Sequence, residues 1–140
     1  MLRELVVFGT PISLQSKRRR QQWQERVSHA ARDAVPDEDP YFEEVSVALV
    51  YFYFGDTDLD VDNIAKPILD AMCGIVFADG GWISELTVRK TQLDRKAGSH
   101  RVEIQDPTPL LAGALDRALA DRLDMVYISV SSAPDHSRLP

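Results

Sequence analysis

The sequence predicts an α+β domain built around a mixed sheet, and three observations carry that prediction. Residues 43–54 are rich in β-branched and aromatic side chains, with apolar residues on both faces toward the end of the run. Two segments, about 17–35 and 63–73, carry apolar residues at helical spacing. Two further strand-like stretches, 83–93 and 99–105, follow one another across a short loop from Asp94 to Gly98, the pattern of a hairpin.

Taken in order, residues 2–9 read as a strand that ends at Gly9-Thr10-Pro11. The first helix places Trp23, Val27, Ala30, Ala31 and Ala34 on one face and closes at Pro36-Asp37 and Asp39-Pro40. In the second strand Val45, Val47, Leu49, Tyr51 and Tyr53 share one face, and Ala48, Val50, Phe52 and Phe54 the other, which predicts a central strand or a contact between two chains. Gly55 breaks that strand. The helix that follows aligns Ile64, Ile68 and Met72, with Pro67 expected in its first turn and Gly74 at its C-cap. Cys73, near the helix end, is expected to be packed. Asp79-Gly80-Gly81 reads as a turn. Thr108-Pro109 is the expected start of a last helix, Thr at the N-cap and Pro at the first helical position, with an apolar stripe of Leu111, Leu115, Ala118, Leu119 and Leu123. Met125 to Val130 alternates like a short strand at a sheet edge, and Ser131 to Pro140 is polar and expected to fray.

A chain of 140 residues suffices for one domain with one core. No apolar run approaches the roughly 20 residues that span a bilayer, so no membrane association is expected. The first residues lack the basic and long apolar regions of a secretory signal. The single cysteine excludes an internal disulfide framework and fits a cytoplasmic protein. His29, His100 and His136 show no ligand spacing.

The net charge of −6 argues against a generic nucleic-acid coat, yet the charges are unevenly distributed. Lys17, Arg18, Arg19, Arg20, Arg26 and Arg32 fall in one early segment, and Asp56, Asp58, Asp60 and Asp62 in another. A local basic face beside an acidic cluster suits metal-dependent chemistry on a polyanion; an acidic protein with one solvated basic helix explains the same composition.

The acidic segment, Asp60-Val61-Asp62-Asn63-Ile64-Ala65-Lys66, is the most informative. Two carboxylates two residues apart at a strand–helix junction can point toward one cation, and oxygen ligands shared with water and phosphate are what Mg²⁺ prefers. Lys66, four residues beyond Asp62, can face the same side of the helix and neutralise charge developing on a phosphoryl oxygen. Asp60 and Asp62 could equally do no more than cap a helix and favour its dipole. An EF-hand is excluded: counted from Asp56 the loop would need Gly at Val61 and Glu at Pro67, and counted from Asp58 it would need them at Asn63 and Leu69.

The run Asp60-x-Asp62-Asn63-x-x-Lys66-Pro67-Ile68-Leu69-Asp70-Ala71-Met72-x-Gly74-Ile75 resembles the D-x-D-N-x-x-K…D-A-L-x-G signature of the RusA family of Holliday-junction resolvases. The likeness continues through Phe77-x-Asp79, Ile83-x-x-Leu86 and Val88-Arg89-Lys90. The opening Phe8-Gly9-x-Pro11, with Ser16-Lys17-x-Arg19, is similar to the family's G-x-P…S-K-x-R start. The resemblance covers roughly residues 5–105, so the chain divides into a RusA-like domain, 1–105, and a C-terminal helix–strand extension, 106–140, packed on the same domain.

The resemblance implies a homodimeric, Mg²⁺- or Mn²⁺-dependent endonuclease that nicks two opposed strands of a four-way DNA junction. Asp60 and Asp62 would hold the metal, Lys66 would stabilise the transition state or leaving oxygen, and Lys17, Arg18, Arg19 and Arg20 would bind backbone phosphates, with Lys90 reaching in from its strand. One departure stands out. The family's acidic doublet is Asp79-Gly80 here, and Trp82 replaces the usual Gln. Three carboxylates would then come from Asp60, Asp62 and Asp79, or Glu85 or Asp70 would contribute, or the site would bind branched DNA and cut it poorly. Asp70 is also placed to pair with Lys66 along the helix. Trp23 is read as core in preference to a DNA-stacking residue.

Overall fold

The computed structural model describes residues 2–12, 17–94 and 106–134. The expected strand over 99–105, the loop before it, Ser16, His100, His136 and the tail beyond 134 lie outside the described residues. Four strands and three helices follow in the order β1 (Leu2–Phe8), α1 (Lys17–Ala34), β2 (Val45–Tyr53), α2 (Val61–Met72), β3 (Ile83–Gln92), α3 (Pro109–Asp121) and β4 (Met125–Ser132), with a 3₁₀ turn at Gly80–Trp82. The sheet order is β1-β4-β2-β3. β4 runs antiparallel to both neighbours, and β2 pairs parallel with β3, so the sheet is mixed as expected.

The alternation in each strand divides the molecule into two apolar layers. Leu5 and Val7 of β1, Val126, Ile128 and Val130 of β4, and Val45, Val47, Leu49 and Tyr51 of β2 face α1 and α2. Trp23, Val27 and Ala31 of α1 and Ile64, Ile68 and Met72 of α2 complete that core. Trp23 is therefore core, as expected, at 2% exposure. On the opposite face Phe52, Met125 and Tyr127 pack against Leu111, Ala114 and Ala118 of α3. Tyr127 is pushed up to about 12 by burial, aided by its hydrogen bond to Glu4.

Five local expectations need correction. β4 is a central strand, not an edge, and it continues through Ser132, because its two apolar faces are needed by both layers. α2 begins at Val61, so Pro67 lies inside the helix and not in its first turn; the Asn63 and Ile64 N–H groups donate to the Asp60 carbonyl and start the helix two residues early. Cys73 is exposed, because the C-cap turn carries it out of the Ile64–Ile68–Met72 stripe, and Gly74, at φ +84°, reverses the chain immediately after it. On α3 the buried stripe is Leu111, Ala114 and Ala118, whereas Leu119 is 55% exposed. Ala34, at the end of α1, is exposed too. The Thr108 cap holds: its hydroxyl accepts the Leu111 N–H at 3.2 Å, with Pro109 opening the helix.

Candidate active site

The basic and acidic segments, 40 residues apart in sequence, meet because α1 and α2 run parallel. Gln24 Nε2 donates to the Pro67 carbonyl (3.2 Å) and Ser28 Oγ to the Ala71 carbonyl (2.9 Å), both at a sequence offset of 43. The same offset carried back sets Lys17–Arg20 level with Asp60–Asn63. Both helix N-termini thus lie at one end of the domain, where the positive ends of the helix dipoles favour anions such as phosphate. That end also receives the chain leaving β1 and β2, the Lys90 end of β3, and the turn into β4. Lys17, Arg18 and Arg19 are exposed there.

Asp60 occupies the N-cap position of α2, yet its side chain makes no capping hydrogen bond. Asp62 stands exposed in the first turn. Neither carboxylate has a partner among the described residues, so side-chain capping does not account for the pair, while both negative charges suit the N-terminal end of the helix dipole. Lys90 Nζ donates to the Leu59 carbonyl at 2.8 Å, which fixes the acidic loop one residue before Asp60 and sets a positive charge beside it.

The remaining candidates are engaged elsewhere. Lys66 pairs with Asp70 at 3.5 Å, as their spacing along the helix predicts; both are more than half exposed, so the pair adds little stability. Glu85 Oε1 accepts from Ser46 Oγ at 3.0 Å. Asp79 Oδ1 accepts the Gly81 N–H at 2.8 Å and caps the 3₁₀ turn. Among the described residues no three His, Cys, Asp or Glu side chains form a group able to hold a metal ion, so Asp60, Asp62 and Asp79 are not gathered into one cluster.

A groove of about 680 Å³ between α2 and β3 is lined by Asp62, Lys66 and Asp70 on the helix side, with Gly80 and Leu86 opposite. A Cβ added at Gly80 would meet nothing within 4 Å, so this position opens directly into the groove that holds Asp62.

Residues 9–105 match the family described as Endodeoxyribonuclease RusA. The chain belongs to the RusA family. No curated protein matches it. The RusA match contains Asp60, Asp62, Lys66, Asp79, Lys90 and the basic start of α1, and ends before α3 and β4, although β4 lies in the middle of the sheet. The family's endodeoxyribonuclease character agrees with an acid pair and a basic segment at one end of the domain.

Sequence reasoning missed Asp124, in the turn before β4. Its Oδ2 accepts from Thr10 Oγ1 (2.9 Å) and Tyr51 OH (2.8 Å), and its Oδ1 accepts the Phe54 N–H (3.0 Å). Burial and the bond to Asp124 hold the Tyr51 hydroxyl well above its usual range. Asp124, Arg19, Asp56 and Asp58 line a polar depression of about 460 Å³. An acid between an amphipathic helix and an apolar strand was the only available signal, and it is a weak one.

Proposed function

We propose that this RusA-family chain is a divalent-metal-dependent endodeoxyribonuclease that resolves four-way DNA junctions by symmetric phosphodiester hydrolysis. The observation that carries the reading is the unpartnered pair Asp60 and Asp62, level with the basic start of α1 and beside Lys66 and Lys90. Their chemistry fits Mg²⁺ or Mn²⁺: two carboxylates whose oxygens no donor among the described residues uses can share a hard cation with water and a substrate phosphate. Asp60 and Asp62 would hold it, and Asp79, whose Oδ1 accepts the Gly81 N–H, would join through its other oxygen after a shift toward the pair. A cation bound there supplies an activated water and offsets charge on the scissile phosphate.

Each of the chain's own groups has a task in this scheme. Lys17, Arg18, Arg19 and Arg20 hold backbone phosphates without reading sequence, giving affinity that falls with salt. Lys66 turns from Asp70 toward the phosphoryl oxygens; an exposed pair gives up such a contact at little cost. Lys90 keeps the acidic loop in place. Symmetric nicking needs two sites, hence a homodimer. Val61 and Leu86, 41% and 43% exposed beside the groove, supply apolar surface suited to covering by a second chain. Among the described residues no helix is long and apolar enough to cross a membrane. We take residues 106–134 as part of the same folding unit, since the sheet without β4 would lose the strand joining β1 to β2.

The test is incubation of the protein with a labelled immobile four-way junction and a matched linear duplex, in Mg²⁺, Mn²⁺ or EDTA. Paired nicks in the junction alone, absent in EDTA, are expected. An intact junction across both metals would reject the nuclease reading.

Gly80 favours a second reading, a branched-DNA binder of the same family with a weakened site. The position opens into the groove beside Asp62 without an acid. On that reading the wild-type protein binds the junction without cutting it, and Gly80→Asp, which the open space accommodates, restores cleavage.

A further inference from the structure

We infer that Asp124, outside the RusA match, is a positioning residue that holds the acid-bearing loop in register with the rest of the site. The inference rests on the nuclease reading for its purpose and on hydrogen bonds for its substance. Phe54 and Gly55 begin the segment that leads from β2 to Asp60, and their successive N–H groups are taken by two carboxylates. Asp124 Oδ1 accepts from Phe54 at 3.0 Å and Asp94 Oδ1 from Gly55 at 2.9 Å. Gly55 has φ +72°, a left-handed turn that swings the chain out of the sheet at this point.

The two clamps are tied together. Asp94 Oδ2 pairs with Arg122 Nη2 at 2.9 Å, and Arg122, the left-handed C-cap of α3, lays its guanidinium 5.0 Å from the Phe54 ring centroid. The other oxygen of Asp124 accepts the hydroxyls of Thr10 and Tyr51, so one carboxylate joins the exit from β1, the end of β2 and the start of the loop. Lys90 holds the far end of the loop through the Leu59 carbonyl. The segment is pinned at both ends, and the first pin belongs to the extension. Because a displacement of about 1 Å in a catalytic group can lower a rate about 100-fold, a pin at the loop's start bears on the reaction without touching substrate.

The test compares wild type, Asp124→Ala, Asp124→Asn and Leu111→Ala. The last opens a cavity beneath α3 and serves as a control of reduced stability with the loop left intact. Amide hydrogen exchange of residues 54–60 and calorimetric titration with Mn²⁺ are read beside junction cleavage. Asp124→Ala is expected to speed exchange at Phe54 and through the loop, and to weaken Mn²⁺ binding and cleavage by about 10- to 100-fold. Asp124→Asn keeps an acceptor for Phe54 and recovers much of both, while Leu111→Ala leaves loop exchange and Mn²⁺ affinity at wild-type values. Loop exchange in Asp124→Ala no faster than in Leu111→Ala would overturn the inference. If wild type neither cuts nor binds Mn²⁺, the nuclease reading fails, and the exchange data still decide whether Asp124 holds the loop.

Discussion

Two pairs of aspartates stand at the same end of this molecule and have opposite fates. Asp94 and Asp124 are saturated: between them they accept from two backbone N–H groups, two hydroxyls, an amide and a guanidinium. Asp60 and Asp62 accept nothing from the described residues, although Asp60 sits where a capping bond would be natural. The saturated pair is spent on structure. The unsaturated pair contributes nothing to the fold that another polar residue could not, and on our reading it is kept for a cation and a phosphate. Residue type and location alone do not separate the two pairs; the supply of donors around each one does.

The comparison can be broken at either pair. The largest stability change is expected from Asp124→Ala, which strands the Tyr51 hydroxyl and the Phe54 N–H: about 1–3 kcal/mol in a urea melt. Asp60→Asn and Asp62→Asn, at exposed positions without partners, should change stability by no more than about 0.5 kcal/mol in the same assay. Equal losses at the two pairs would remove the distinction.

A smaller effect belongs to pH. The Gly55 N–H, with smaller contributions from Gln92 and Arg122, holds the Asp94 carboxyl below its usual 3.8. A carboxylate depressed in the folded state gives stability that is complete above about pH 4 and is lost as pH falls through the lower folded value. Asp94→Asn should therefore flatten the acid limb of the stability profile below about pH 4. An acid limb identical to wild type would show that Asp94 does not carry it. The smallest effect is expected at Asp70→Ala: its pair with Lys66 is exposed, so thermal unfolding should shift by the equivalent of about 0.5 kcal/mol or less.

Much of this architecture was legible in the sequence because it is written in short periods. The alternation of Val45, Val47, Leu49 and Tyr51 against Val50 and Phe52 assigns both faces of β2, and Ile64, Ile68 and Met72 assign the buried side of α2. The acid pair and Lys66 were legible by spacing and by resemblance to RusA. What was not legible depends on contacts distant in sequence. A short alternating segment looks the same at an edge or in the centre, so the place of β4 between β1 and β2 had no local signal. The start of α2 at Val61 depends on the Asp60 carbonyl accepting the Asn63 and Ile64 N–H groups, which the apolar spacing of the helix does not report. Asp124 was invisible because its partners lie 70 to 114 residues away. The bond from the Gly81 N–H to Asp79 is local, two residues apart, yet the motif that singles out Asp79 does not announce it. The parallel register of α1 and α2, which brings the basic segment to the acids, comes from the core they share and from two side-chain bonds that no pattern announces.

The most direct test of the central claim is the rate at which Asp62→Asn cuts a four-way junction in Mg²⁺, measured on protein that melts at the wild-type temperature. The account predicts that paired nicking disappears while the junction is still bound. Cleavage at the wild-type rate would mean that the unpartnered acids are not the metal site, and would return them to the surface of the protein.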